Sequence, residues 1–210
     1  MTNSCLICIV DDDPDVLEST AALLESAGHS TLTYTSPSAF LESDVQECGC
    51  LIVDLRMPEM NGLMLQQHLS QRVPDLPCIF ISGEGELRVA VEAMKHGAVD
   101  FLEKPFAEDD LLTAVQRALE RRQAAQEGQA IQCHAAKRIS TLSPREQEVL
   151  AAVAEGAPSK VIADKFGISR RTVEIHRTNI MRKVGVRNLA ELVRLAHQAG
   201  SAAGSAPVKM

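Results

Sequence analysis

The chain has 210 residues, 45 % of them apolar and 23 % charged, with a formal net charge of −7. That composition supplies one or two buried cores and excludes disordered and collagen-like chains. The longest apolar run, Cys5 to Val10, is six residues, against about 18 for a membrane helix. Met1 to Ser4 carry no basic signal-peptide start, so a soluble, cytoplasmic protein with no membrane partner is expected.

The net charge hides a split. Residues 1–122 hold 21 acidic and 8 basic residues, a balance of −13, whereas residues 123–210 hold 7 and 13, a balance of +6. An acidic half suits cation binding and a basic half suits nucleic acid. The six cysteines (5, 8, 48, 50, 78 and 133) are too sparse for a disulfide scaffold. Cys5 and Cys8 have CxxC spacing, but positions i and i+3 of a strand point to opposite faces and no second pair stands nearby, so they read as small core hydrophobes.

Along the front half, strands are predicted at 5–10, 31–34, 50–54, 78–82 and 99–102, and helices at 14–27, 37–42, 63–71, 86–96 and 108–122. Five βα units in a row predict an α/β domain with a parallel sheet covered on both faces, whose ligands sit at the carboxyl ends of the strands. The unusual residues fall at those ends. Asp11, Asp12 and Asp13 close the first strand, Asp54 ends the third, Ser82 ends the fourth, and Lys104-Pro105 follows the fifth. Clustered carboxylates repel one another and call for a cation, and Mg²⁺ or Mn²⁺ suits a site of carboxylate and phosphate oxygens. A carboxylate can attack phosphorus and hold the phosphoryl group as an acyl phosphate, which assigns Asp54 as acceptor, Lys104 as the neutralising ammonium and Ser82 as a hydroxyl donor.

From Arg121 to Ser140 large apolar residues are few and Gly128 interrupts, so 123–140 is expected to be a linker, helical at its start. An all-helical module follows. Ser143, Pro144 and Glu146 form a capping pattern for a helix running to about Glu155; Ser159 opens a short helix, Lys160 to Phe166, ended by Gly167; Ser169 caps a longer one through Val184. Helix, glycine turn and second helix are the spacing of a helix-turn-helix. In the second helix Val173, His176, Ile180 and Val184 recur at helical spacing and should face the core, leaving a basic outer face that suits the major groove. Residues 201–210 are rich in Gly, Ala and Ser and are expected to be a disordered tail.

The motifs IVDDDP, LIVDLRMPEMNG, FISGEGE and DFLEKPF resemble the receiver domain of two-component response regulators, over roughly residues 4–122. LSPREQEVLAAVAEGAPSKVIADKFGISRRTVEIHRTNIMRKVGVRNLAELV, residues 142–193, is similar to the LuxR-type DNA-binding domain. Together they resemble the FixJ/NarL class, which implies a flavodoxin-like receiver at 1–122 and a helix-turn-helix domain at 141–200. The resemblance further implies phosphorylation of Asp54 by a sensor histidine kinase and a metal site of Asp11, Asp12, Asp54 and the Arg56 backbone carbonyl. Ser82 and Phe101 would form the switch, leading to a homodimer that binds promoter DNA and meets RNA polymerase. Asp13 is an acid beyond the family's pair, expected to be outer shell or solvated. Arg56 and Glu84 each lie two residues past a site residue, and either tune hydrolysis or are plain surface charges.

Lys160, Arg170, Arg171, Arg177 and Arg182 are the phosphate-contact candidates, and Glu174, Ile175 and Thr178 the base-edge candidates. Ser159 stands where the family often has Asn, and Glu174 where many members have Lys. Two other readings stand beside this one. A haloacid-dehalogenase-like phosphotransferase needs a second acid two residues past the nucleophile, where Arg56 stands. A LuxR-type regulator with a partner- or ligand-sensing receiver would act without phosphorylation. The expected protein is a regulator that loses its phosphoryl group slowly and does not turn over substrate.

Overall fold

The structure, a computed structural model, describes residues 5–83 and 87–203. It divides into two compact units, Met1–Ala125 and Gln126–Met210. In the first, β1 (Leu6–Val10), α1 (Pro14–Ser26), β2 (Ser30–Tyr34), α2 (Pro37–Glu42), β3 (Cys48–Asp54), α3 (Gly62–Arg72), β4 (Cys78–Ser82), α4 (Leu87–Lys95), β5 (Asp100–Glu103) and the start of α5 (Glu108–Ile139) alternate along the chain. The strands form one parallel sheet in the order β2-β1-β3-β4-β5. The order reverses direction between β1 and β3, which opens a crevice at their carboxyl ends.

The sheet separates two cores, as continuous apolar strands require. Cys8, Val10, Phe40, Leu51, Val53, Leu65 and Phe80 pack on one face, and Ile7, Ile9, Cys50, Ile52, Ile79, Ile81, Leu111 and Val115 on the other. Cys8 is 2 % exposed and shares one core with Cys48 and Cys78, Cys50 is buried in the other, and Cys5, also expected in a core, is only half-buried; all are free thiols.

Strand β3 begins two residues before the predicted Cys50, because Cys48 already pairs with Leu6 across a register shift; at Gly49 a Cβ would make a tight 3.0 Å contact with that of Cys5. Helix α5 does not break at Gly128 but runs to Ile139. Gly costs about 1 kcal/mol in a helix interior, and the surrounding Ala, Gln, Glu and Arg residues are strong helix formers that absorb it. Ala135 is 2 % exposed, so the end of the expected linker is already core of the second unit.

That second unit adds α6 (Pro144–Ala154), α7 (Ser159–Phe166), α8 (Arg170–Val184) and α9 (Leu189–Ala203) around Leu142, Val149, Leu150, Ile162, Val173, Ile180, Val184, Leu192 and Leu195. Ser143 caps α6 in a reciprocal capping box with Glu146, and Lys183 of α8 reaches the same carboxylate at 2.7 Å. Gly167 and Gly185 end α7 and α8 in left-handed conformation, with φ of 64° and 68°. Arg138, near the end of α5, donates its guanidinium N–H groups to Val184 O, the last carbonyl of α8, and to O of its C-cap Gly185. Among the described residues no helix is long and apolar enough to cross a membrane.

Candidate functional site

The reversal of strand order sets the ends of β1 and β3 side by side, which brings Asp11 and Asp54 together. Asp11 is 2 % and Asp54 8 % exposed. Lys104, from beyond the end of β5, donates its Nζ–H to Asp11 Oδ2 at 2.8 Å and to Asp54 Oδ1 at 2.7 Å. The Lys104 backbone N–H donates to Ser82 O at 2.7 Å, and the Lys104-Pro105 peptide is cis. Asp54 Oδ2 accepts the Arg56 N–H at 2.6 Å. Gly62, at the start of α3, lies directly beneath, where a Cβ would stand 2.6 Å from Asp54 O and 3.0 Å from the Phe80 ring.

Asp12 and Arg56 are both exposed. Asp13 has a structural role: its Oδ1 accepts the Asp15 N–H at 2.9 Å and caps α1, while its own N–H donates to Asp11 Oδ1 at 2.9 Å. Ser82 is 1 % exposed, and its Oγ–H donates to Gly83 O at 3.4 Å. Phe101, half-buried, stands opposite Phe80 in the ladder and packs on the core that Phe80 shares. Glu84 lies outside the described residues.

Burial pushes the Asp54 carboxyl above its ordinary value, against the hydrogen bond and charge of Lys104 and the Arg56 amide. Burial also works against the Lys104 ammonium, but hydrogen bonds to Asp11 and Asp54 outweigh it, and its pKa lies above the usual lysine value. Lys104 is therefore charged at neutral pH. Among the described residues no three acidic, His or Cys side chains stand together as a ready metal-binding group; Asp11 and Asp54 converge instead on the ammonium. The two carboxylates against one ammonium leave an excess negative charge, Asp12 follows Asp11 in the chain, and the donors are all hard oxygens, so the residues fit Mg²⁺ or Mn²⁺ in charge and chemistry.

In the second unit α8 presents Arg170, Arg171, Glu174, Ile175, Thr178 and Arg182 on an exposed face, with Lys160 exposed on α7. Val173, Ile180 and Val184 are buried as predicted, whereas His176 is half-buried. Arg177 differs most from expectation. Its side chain is only 20 % exposed, and Nη1–H donates to Ser159 Oγ at 2.8 Å and to Glu174 Oε1 at 3.2 Å. A guanidinium on a long stem reaches back to the preceding helix, which helical periodicity alone does not reveal. Thr178 donates its hydroxyl to Glu174 O at 3.0 Å, and Ile175 is 53 % exposed, so this face offers methyl groups as well as charge.

Residues 7–116 match the family described as response regulator receiver domain, and residues 140–196 that described as bacterial regulatory proteins, luxR family. The transcriptional regulatory protein FixJ of Azorhizobium caulinodans is 42 % identical over 203 residues, covering 96 % of each chain. The response regulator protein TodT of Pseudomonas putida is 43 % identical over 92 % of this chain and 86 % of its own length. The solved structure of the response regulator StyR superposes with a TM-score of 0.77 at 39 % identity, covering 92 % of this chain and 98 % of that one.

Proposed function

This chain belongs to the FixJ-like response regulators, transcriptional regulators that join a receiver to a LuxR-type DNA-binding domain, and on that premise we propose that Asp54 is its phosphoryl acceptor and α8 its DNA-reading helix. The observation that carries the proposal is the Lys104 ammonium shared between Asp11 and Asp54 at hydrogen-bond distance. It holds the acceptor carboxylate at the mouth of the crevice and supplies positive charge where phosphoryl oxygens arrive.

In the transfer, an Asp54 carboxylate oxygen bonds to phosphorus as the phosphorus–nitrogen bond to the kinase phosphohistidine breaks, leaving an acyl phosphate and a neutral histidine. Asp11, Asp12, Asp54 and the Arg56 carbonyl are the residues that would hold Mg²⁺ or Mn²⁺, which when bound neutralises phosphoryl oxygens. Ser82 donates its hydroxyl to the new phosphoryl group. That contact draws it away from Gly83 O and lets Phe101 move inward. Arg56, with Glu84, tunes how fast water removes the group; the loss is slow, and the chain is not a turnover enzyme.

The phosphorylated chain forms a homodimer in the cytoplasm, binds promoter DNA through Lys160, Arg170, Arg171, Glu174, Ile175, Thr178 and Arg182, and meets RNA polymerase there. The receiver corresponds to residues 1–122 and the DNA-binding domain to 141–200. A regulator that works without phosphorylation is the less favoured reading, because acceptor, ammonium, hydroxyl and acids are all present. The test is DNA retention by the full chain with and without acetyl phosphate and magnesium. Retention should rise with the donor in the wild type and stay at its basal level in Asp54→Asn; an equal rise in both refutes the assignment.

A further inference from the structure

Ser159 is the first residue of α7, whose N-cap is Pro158 and receives no side-chain cap. A serine at a helix start ordinarily spends its hydroxyl on its own helix's N–H groups. This one turns to α8. Its Oγ–H donates to Glu174 Oε1 at 2.5 Å and its lone pair accepts the Arg177 Nη1–H at 2.8 Å, while Arg177 also reaches Glu174 Oε1 at 3.2 Å. Two of these three contacts fall on one carboxylate oxygen, Oε1, and the third ties its two donors together, although the Glu174 side chain is 58 % exposed. Glu174 Oε2 has no partner among the described residues.

We infer that Ser159 is a specificity-determining residue, holding Glu174 so that a single carboxylate oxygen, Oε2, faces the base edges. The inference rests on α8 being the DNA-reading helix. Two costs oppose a glutamate in the major groove. Its flexible side chain must be ordered, and its charge meets the phosphate backbone. The clamp reduces both before DNA arrives, since the hydroxyl fixes the side chain and Arg177 cancels the charge locally.

What remains is a directed acceptor, which selects an amino group in the groove: the N4 amino of cytosine, or the N6 amino of adenine. Arg177 then acts as a positioning residue, and its role as a phosphate contact falls away. Serine at 159 and glutamate at 174 are partners of each other.

The experiment selects DNA from a random pool with the phosphorylated full-length wild type, then measures competition affinities on the selected sequence and its single-base variants. Glu174→Ala should flatten the preference at one position of each half-site. Ser159→Ala should lower discrimination at that same position by roughly five- to tenfold, the lower part of what a good base-edge pair contributes. Ser159→Thr, which keeps the hydroxyl, should restore it, and the double variant should be no flatter than Glu174→Ala alone.

The inference is overturned if Ser159→Ala keeps the wild-type preference, if it weakens every sequence equally, or if Glu174→Ala leaves the preference intact. A wild type that selects no sequence overturns the DNA-reading assignment, and the inference with it. That outcome is distinct from the others, in all of which the wild type selects.

Discussion

Replacing Lys104 with methionine keeps much of the alkyl volume and removes the charge that two buried carboxylates share. Breaking a buried ion pair by deleting one partner costs about 3–5 kcal/mol, because the surviving charge is left uncompensated. The Lys104 side chain is 27 % exposed and those of Asp11 and Asp54 are 3 % and 10 % exposed, so partial screening of the ammonium points to the lower end, about 3 kcal/mol. For a unit of this size that lowers the receiver's midpoint by roughly 10–15 °C.

The sign follows from the direction of the shift. A lysine whose pKa is raised in the folded state contributes its full stability below its ordinary value of 10.5 and loses it only as pH climbs through the raised value. The whole loss is therefore visible at pH 7. Adding Asp54→Asn to the variant removes one of the two stranded charges and should recover about half of the deficit. The assay is thermal unfolding of the four combinations in chelator-containing buffer. A Lys104→Met receiver that melts within about 2 °C of wild type would refute the account of how the acids are held.

Gly62→Ala should cost about 1–3 kcal/mol and slow phosphorylation by acetyl phosphate, since its Cβ would stand 2.6 Å from Asp54 O and push the acceptor strand's end aside; melting and labelling rates like wild type would contradict the close approach. Glu146 is held down to about 2, first by the Lys183 hydrogen bond and then by the Ser143 amide, so its contribution is full above its ordinary value of 4.5 and fades as pH falls toward 2. The stability gap between wild type and Glu146→Gln, measured by denaturant titration, should accordingly be constant from pH 6 to 8 and close in acid, and an unchanged gap at pH 3 would count against it. Arg171→Ala should weaken all DNA sequences similarly and lower the salt slope of binding by about 0.9; an unchanged slope removes Arg171 from the phosphate contacts.

Much of this architecture is legible in the residues themselves. Strands β1, β3 and β4 announce themselves because both of their faces are covered, and the Ser143–Glu146 capping box and the Gly167 turn mark their helices locally. What escaped the pattern has identifiable causes. Helix α9 was signalled by Asn188 and Glu191, which bond each other and the adjacent N–H groups, and by Leu192 and Leu195 on one face, but an Ala- and Gly-containing end weakens the signal.

The segment around Gly128 reads as a linker by composition, while its neighbours carry enough helix propensity to continue through it. Lys104 meets Asp11 and Asp54 across 93 and 50 residues. Only the rule that ligands gather at strand ends, together with the family resemblance, anticipates that pairing. Arg177 lies on the outward face by periodicity, yet its stem is long enough to return to Ser159. Side-chain reach, unlike backbone period, is not written in spacing.

The central claim is that Asp54 carries the phosphoryl group, and the direct measurement is intact-mass and peptide-level mass spectrometry after incubation with acetyl phosphate and magnesium. The wild type should gain about 80 Da, confined to the peptide that contains Asp54, and Asp54→Asn should gain nothing. A wild type with no gain, or one whose added mass maps to another residue, would contradict the account.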